Sequence, residues 1–249
     1  MKIVGVIPAR YQSSRFPGKP LVDLNGTPMI VRVANIVEKA LGKTNTYIAT
    51  DNKLIKDTVE SYGFKVIMTS SDCITGTDRV FDFSKQVKAD IYVNVQGDEP
   101  LLDHNDIQKI IDFKKQNIDY VVNGMCTIGT EEDPGNTNIP KVLVNESNQL
   151  IYISRLPIPG TKNAQQTSYI KYKKQVCIYA FTYKELNAFG NKSQKSNYEN
   201  AEDIEILRFF DLSIPIKMVE TSSQSMAIDV PEDVVKVESE LIKLEGNLK

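Results

Sequence analysis

The chain has 249 residues, 41% of them hydrophobic and 25% charged, with a formal net charge of −2. That size and composition suit one large globular domain with a sizeable core. They exclude the global basic field expected of a nucleic-acid binder, and no apolar run approaches the roughly 20 residues of a membrane helix.

In chain order, KIVGVI reads as a buried strand without the layout of a signal peptide. It runs into IPARYQSSRFPGKP, where Lys2, Arg10, Arg15 and Lys19 all precede the first acidic residue, Asp23. PMIVRVANIVEKAL has helical spacing and TYIAT is a strand. Asp51 is placed to cap the helix KLIKDTVESYG, which Gly63 ends. KVIMT, TDRVFDFSKQV and DIYVNVQ follow as strand, helix and strand. This alternation predicts an α/β fold, a Rossmann-like and mostly parallel sheet covered on both faces. Ligands of such sheets bind outside the carboxyl ends of the strands. The loops PARYQSSRFPGK, TSSDCITG and QGDEP therefore share one rim.

Beyond residue 118 the rhythm changes. DYVVNGMCTIG, PKVLVN, QLIYISR and KQVCIYAFT read as strands joined by short turns. They predict an antiparallel or mixed insertion, at about residues 125–190, within a single domain spanning 1–249. PIPGTKNAQQTS to Tyr169 reads as a loop, NAEDIEILRFFDL as one helix, and PIKMVET and MAID as strands. PEDVVKVESELIKLE closes the chain as a helix with Pro231 in its first turn.

Three widely spaced cysteines, Cys73, Cys126 and Cys177, do not make a disulfide framework, and a reducing cytoplasm is the expected location. Cys126 and Cys177 sit in apolar strands, where thiols are inert. His104, the single histidine, follows DEPLLD at a loop or helix start and reads as an exposed, non-catalytic residue.

Four stretches carry chemistry. In the opening loop Arg10, Arg15 and Lys19 complement phosphate oxygens, Ser13 and Ser14 add hydroxyls, and Gly18 permits close backbone approach. An ordinary solvated loop is the bland alternative. VNVQGDEP puts Asp98 and Glu99 at the sheet's carboxyl edge, where a carboxylate can hold a hard cation or stabilise a helix start. Asp229 of SMAIDVPED is either a helix cap or a second metal carboxylate. In TGTDR, Gly76 and the hydroxyls suit a base or ribose and Arg79 a phosphate, with a plain cap at Thr77 as the alternative.

The stretches IPARYQSSRFPGKPL, ATD, TGTDR, VNVQGDEP, YISRLPIP, IYAF and IDVPED, in this order and over nearly the whole chain, resemble the 3-deoxy-manno-octulosonate (Kdo) cytidylyltransferases. The resemblance implies a nucleotide-diphospho-sugar transferase fold, a homodimer formed through the insertion, and Mg²⁺-dependent transfer of CMP from CTP to a sugar acid. It implies that Arg10, Arg15 and Lys19 hold the triphosphate. Ala9, Thr75, Gly76, Thr77 and Gln96 would line the nucleoside, Asp98 and Asp229 would bind Mg²⁺, and Arg155 and Tyr179 would face the sugar.

Two departures fall on the sugar side. The family's His-hydrophobic-Gly is replaced by Gln175-Val176-Cys177, and its Glu-x-Leu-Glu-Gln-Leu-Arg is set against Glu205 to Asp211. Changed hydrogen-bonding groups usually change the substrate. They admit an amino-ulosonate acceptor, or, through Arg208, a phosphorylated one. A nucleotide-binding protein without catalysis is a third alternative, opposed by the pair of carboxylates.

Overall fold

The computed structural model describes residues 1–12, 16–162, 170–222 and 226–246. In its first half, β-branched strands alternate with amphipathic helices: β1 (Ile3–Ala9), the short hairpin β2 (Asp23–Leu24) and β3 (Thr27–Pro28), α1 (Met29–Leu41), β4 (Thr46–Thr50), α2 (Lys53–Ser61), β5 (Lys65–Met68), α3 (Gly76–Gln86) and β6 (Ile91–Val95). Strands β5, β4, β1 and β6 lie side by side and parallel. Then come α4 (His104–Gln116), β7 (Val121–Thr127), β8 (Lys141–Val144), β9 (Leu150–Ser154), β10 (Lys173–Phe181), α5 (Tyr183–Gly190), α6 (Asn197–Glu202), α7 (Leu207–Asp211), β11 (Ile216–Glu220) and α8 (Asp233–Gly246).

The inserted strands continue the main sheet. β10 runs antiparallel between β6 and β7, β11 adds parallel to β7, and only the β8–β9 hairpin branches off the start of β10. Alternate strand residues feed two cores. Ile7, Val93, Ile178 and Val122 pack with α1, α2 and α4, whereas Val6, Tyr92, Phe181 and Met125 pack with α3, α5 and α7. A third cluster joins Val237 and Leu241 of α8 to Leu24, Met29, Leu101 and Ile228.

Several local expectations are corrected. The cap of α2 is Asn52, whose side-chain oxygen accepts from Leu54 N at 2.9 Å and Ile55 N at 3.2 Å. An amide does this as well as a carboxylate, and Asp51 instead pairs with Arg79. The helix expected over NAEDIEILRFFDL breaks into α6 and α7 because Asp203 adopts φ 51°. MAID forms no strand, and α8 starts at Asp233, two residues after Pro231. His104 is half-buried in the first turn of α4, capped by Asp103, and Cys126 is buried.

Lys114, in the last turn of α4, is wholly buried. Its ammonium donates to both oxygens of Glu185 at 2.8 Å and to the carbonyls of Ile118 and Tyr120. Removing one member of a buried pair leaves the other charge without compensation. Lys114→Met is therefore expected to lose about 3–5 kcal/mol of unfolding free energy. Adding Glu185→Gln should recover part of that loss in the same urea titration.

Candidate active site

Strand β1 ends at Ala9 and β6 at Val95, and the two are hydrogen-bonded neighbours, so the loops that leave them emerge together. A cleft on that rim is lined by Ala9, Arg10, Lys19, Thr75, Gly76, Arg79, Gln96, Asp98 and Asp229. All nine were expected from the sequence. Met29, Cys73, Ile74 and Gly97 also line it without having been singled out. Cys73 and Ile74 stand in TSSDCITG, which rim geometry alone could have flagged. Arg15, Ser13 and Ser14 lie outside the described residues.

Two glycines sit at close approaches. A Cβ on Gly97 would stand 3.2 Å from the Pro8 carbonyl, and one on Gly76 would stand 2.5 Å from Gln96 Nε2. Gly18 takes φ 73°, a left-handed conformation that costs other residues energy. Its N–H donates to the Tyr11 carbonyl at 2.9 Å, folding the opening loop back so that Lys19 faces the cleft.

Lys19 organises the charges. Its ammonium donates to Asp98 Oδ2 at 2.7 Å and to the Ile228 carbonyl at 2.9 Å, and lies 3.8 Å from Asp229 Oδ1. The Ile228 N–H donates to the Asp98 carbonyl at 3.0 Å, bringing Asp229 beside Asp98 across 131 positions of sequence. At the start of the closing helix Asp233 Oδ2 accepts from Asp229 N at 2.9 Å and Val230 N at 3.1 Å, fixing the turn that carries Asp229 into the helix. Two carboxylates beside an open cleft fit Mg²⁺, which typically takes one or two carboxylates and leaves other positions to phosphates and water. No group of three or more His, Cys, Asp or Glu that could hold a metal occurs among the described residues, so a closed protein cage is not the arrangement here.

The cap of α3 is Thr75, not Thr77. Thr75 Oγ1 accepts from Asp78 N at 3.1 Å, and Asp78 Oδ2 accepts from Thr75 N at 2.9 Å. This reciprocal box satisfies two otherwise orphaned donors. Thr77 is buried, and its N–H donates to Glu205 Oε2 at 3.0 Å. Arg79 lines the cleft, but its guanidinium donates to Asp51, Thr69 Oγ1 and the Ser70 carbonyl. It ties the exits of β4 and β5 together and is not available as the phosphate ligand expected of it.

Beside the wall formed by Thr75, Gly76 and Gln96 lies a second polar group. Gln96 Nε2 donates to Glu205 Oε1 at 2.9 Å. Gln175 Nε2 donates to Asn123 Oδ1 at 2.9 Å and to the Tyr179 hydroxyl at 3.2 Å. Glu99, only 5% exposed, contacts Cys177. Burial, then the neighbouring Asp98 charge, pushes Glu99 up to about 7. Burial raises Glu205 and Tyr179 as well, and it lifts the Cys73 and Cys126 thiols to about 11, keeping them protonated and unreactive.

On the sugar side, the Arg155 guanidinium donates to the carbonyls of Glu202, Thr137 and Asp203, and none of Arg155, Gln175, Tyr179 and Glu205 is among the residues that line this cleft. Arg208 is wholly buried between Glu199 and Asp78, so its charge is already neutralised and it cannot receive a phosphorylated acceptor. Phe209 is buried against Phe181 and Phe189. The misassignment was one of register. Laid three residues earlier, Glu-x-Leu-Glu-Gln-Leu-Arg meets Glu202, Glu205, Leu207 and Arg208 directly, with Ile204 for its first Leu and Ile206 for its Gln.

The fold is that of the nucleotidyltransferases. A CMP:2-keto-3-deoxy-manno-octonic acid synthetase complexed with CTP superimposes with a TM-score of 0.89 and 35% identity, covering 98% of this chain and 99% of that one. More narrowly, the chain belongs to the cytidylyltransferase family, whose profile matches residues 4–218. It is 36% identical to the 3-deoxy-manno-octulosonate cytidylyltransferase of Escherichia coli, over 95% of this chain and 94% of that protein. It is 38% identical to an 8-amino-3,8-dideoxy-manno-octulosonate cytidylyltransferase of Shewanella sp. (strain W3-18-1), over 97% and 99%.

A buried acid with a raised pKa binds its proton more tightly folded than unfolded. Glu99 therefore costs stability as pH climbs from its ordinary 4.5 through about 7, and costs nothing below 4.5. Relative to wild type, metal-free Glu99→Gln should gain on the order of 3 kcal/mol between pH 4.5 and 8. Urea midpoints taken across that range measure it, and a flat difference would count against the shift.

Proposed function

We propose that this cytidylyltransferase transfers CMP from CTP to a Kdo-like sugar acid and releases pyrophosphate, activating the sugar for surface-polysaccharide or lipopolysaccharide synthesis in the cytoplasm. The observation that carries the reading is the meeting of Arg10, Lys19, Asp98 and Asp229 in one cleft at the sheet's carboxyl rim. Arg10 and Lys19, together with Arg15, supply positive charge for a triphosphate. Thr75, Gly76 and Gln96 wall the side where the nucleoside would lie, close to the backbone at Ala9. Gln175, Tyr179 and Glu205 form the polar group beside it, on the side left for the acceptor.

The acceptor's anomeric hydroxyl oxygen attacks the α-phosphorus, the bond to the bridging oxygen breaks, and pyrophosphate leaves while the hydroxyl proton passes to solvent or a base. Asp98 and Asp229 would hold Mg²⁺, which when bound neutralises phosphate charge and orients the leaving group. Lys19 stands between the two carboxylates and keeps them from repelling one another. The chain needs no covalent nucleophile for this displacement, consistent with its protonated thiols.

An amino-bearing acceptor is the second reading, favoured by Gln175. A neutral amide there, held by Asn123 and Tyr179, avoids the positive charge that a protonated imidazole would set against an ammonium. Pyrophosphate release should be measured for the four nucleoside triphosphates crossed with Kdo and 8-amino-Kdo. CTP with one of these acids should turn over, and Asp98→Ala should lower the rate by at least about 10³-fold. Release from no combination would sink the assignment, and an unchanged rate in Asp98→Ala would remove the metal role.

The protein is further proposed to be a homodimer joined through the insertion. Ile151 of β9 and Leu156 just beyond it are apolar residues of the insertion that stand 47% and 65% exposed. Sedimentation velocity should find a dimer that Ile151→Lys with Leu156→Glu converts to a folded monomer. A wild-type monomer at micromolar concentration would contradict this.

A further inference from the structure

The buried guanidinium of Arg208 is joined to the nucleotide wall through a single carboxylate. Arg208 Nε and Nη2 donate to Glu199 at 2.7 and 2.6 Å, and Nη1 and Nη2 donate to Asp78 at 2.7 and 3.2 Å. The plane of the guanidinium lies 3.7 Å over the Phe189 ring. Asp78 Oδ2 is also the acceptor of the Thr75 N–H and hydroxyl, at 2.9 and 2.8 Å. One carboxylate thus ties the α7 arginine to the residue that begins the cleft's wall. Three residues earlier, Glu205 grips the same turn from the other side through Thr77 N and Gln96.

From this geometry we infer that Arg208 is a positioning residue for the nucleotide. Through Asp78 it locks Thr75 and Gly76 in the conformation that the nucleoside meets, and it couples the segment bearing Glu205 to the nucleotide wall. A carboxylate left without its fork is free to turn toward solvent. The box would then loosen, and CTP would have to order it on binding. Lysine carries the charge but is a point donor, so it cannot hold two carboxylates bidentately at once. The inference rests on the proposed placement of the nucleotide against Thr75 and Gly76.

The test compares Arg208→Lys, Asp78→Asn and their double variant with Phe209→Leu, which disturbs the same core without touching Asp78. CTP dissociation constants come from calorimetry, with KM and kcat for pyrophosphate release and unfolding midpoints alongside. Each clamp variant should weaken CTP binding about tenfold and raise KM for CTP while kcat changes less than about twofold. The double variant should be no weaker than the weaker single, because both substitutions break one link. Phe209→Leu should lower the unfolding midpoint and leave CTP binding unchanged. Unaltered CTP binding in folded Arg208→Lys, or additive losses in the double variant, would overturn the inference. If Arg208→Lys does not fold, Asp78→Asn against Phe209→Leu decides on the same criterion. Failure of the wild type to bind CTP would overturn the proposed function, whereas wild-type binding matched by every variant would overturn the clamp alone.

Discussion

The hydrogen-bonded pairing of β1 with β6 is the constraint on which the site depends. Both strands point the same way, so their carboxyl ends deliver the cationic opening loop and the Gln96–Asp98 turn to one place. Glycine at 97 lets the second turn pass close to the Pro8 carbonyl and Ile30. Once the loops meet, the Lys19–Asp98 contact and the Ile228 N–H on the Asp98 carbonyl recruit a third segment, and Asp229 arrives with it. Ile228 is held there by the apolar cluster beneath α8, so core packing places the Asp229 carboxylate at the cleft.

A second layer of control comes from the α6–α7 region. Asp203 breaks the helix in the left-handed region, which turns Glu205 toward Thr77 and Gln96 and sends Arg208 inward. Burying a guanidinium is costly unless its donors are met. Here two carboxylates and the Phe189 carbonyl meet them. Arg155 and Lys141 do similar work near the insertion, holding the carbonyls of Thr137, Asp203 and Asn136. Charges that look exposed and functional in a linear reading are here internal fasteners.

Much of the parallel half was legible because its signals are local. Strand and helix periodicities in KIVGVI, TYIAT and TDRVFDFSKQV are set by residues close in sequence, and a parallel sheet's directionality then puts the three loops on one rim. Caps were less legible. Asn52 displaced Asp51 and Thr75 displaced Thr77, since neighbouring polar residues can each cap and the choice falls to whichever is not claimed elsewhere. The fates of Arg79, Arg155 and Arg208 were illegible for a related reason. A guanidinium's role depends on which acceptors surround it, and those come from 28, 48 and 130 positions away.

By itself the sequence determined the class of fold, the rim that carries the chemistry and the residue types gathered there, because alternation, turn glycines and the run of cations act through near neighbours. The tertiary structure alone decided which of those charges remain at the cleft. Arg10, Lys19, Asp98 and Asp229 line it, whereas Arg155 and Arg208 are bound by acceptors supplied from other segments. The physical reason is that a charged side chain can meet a ligand only where its partners leave it facing a cleft, as Lys19, Asp98 and Asp229 are left, and partners are assigned by long-range packing.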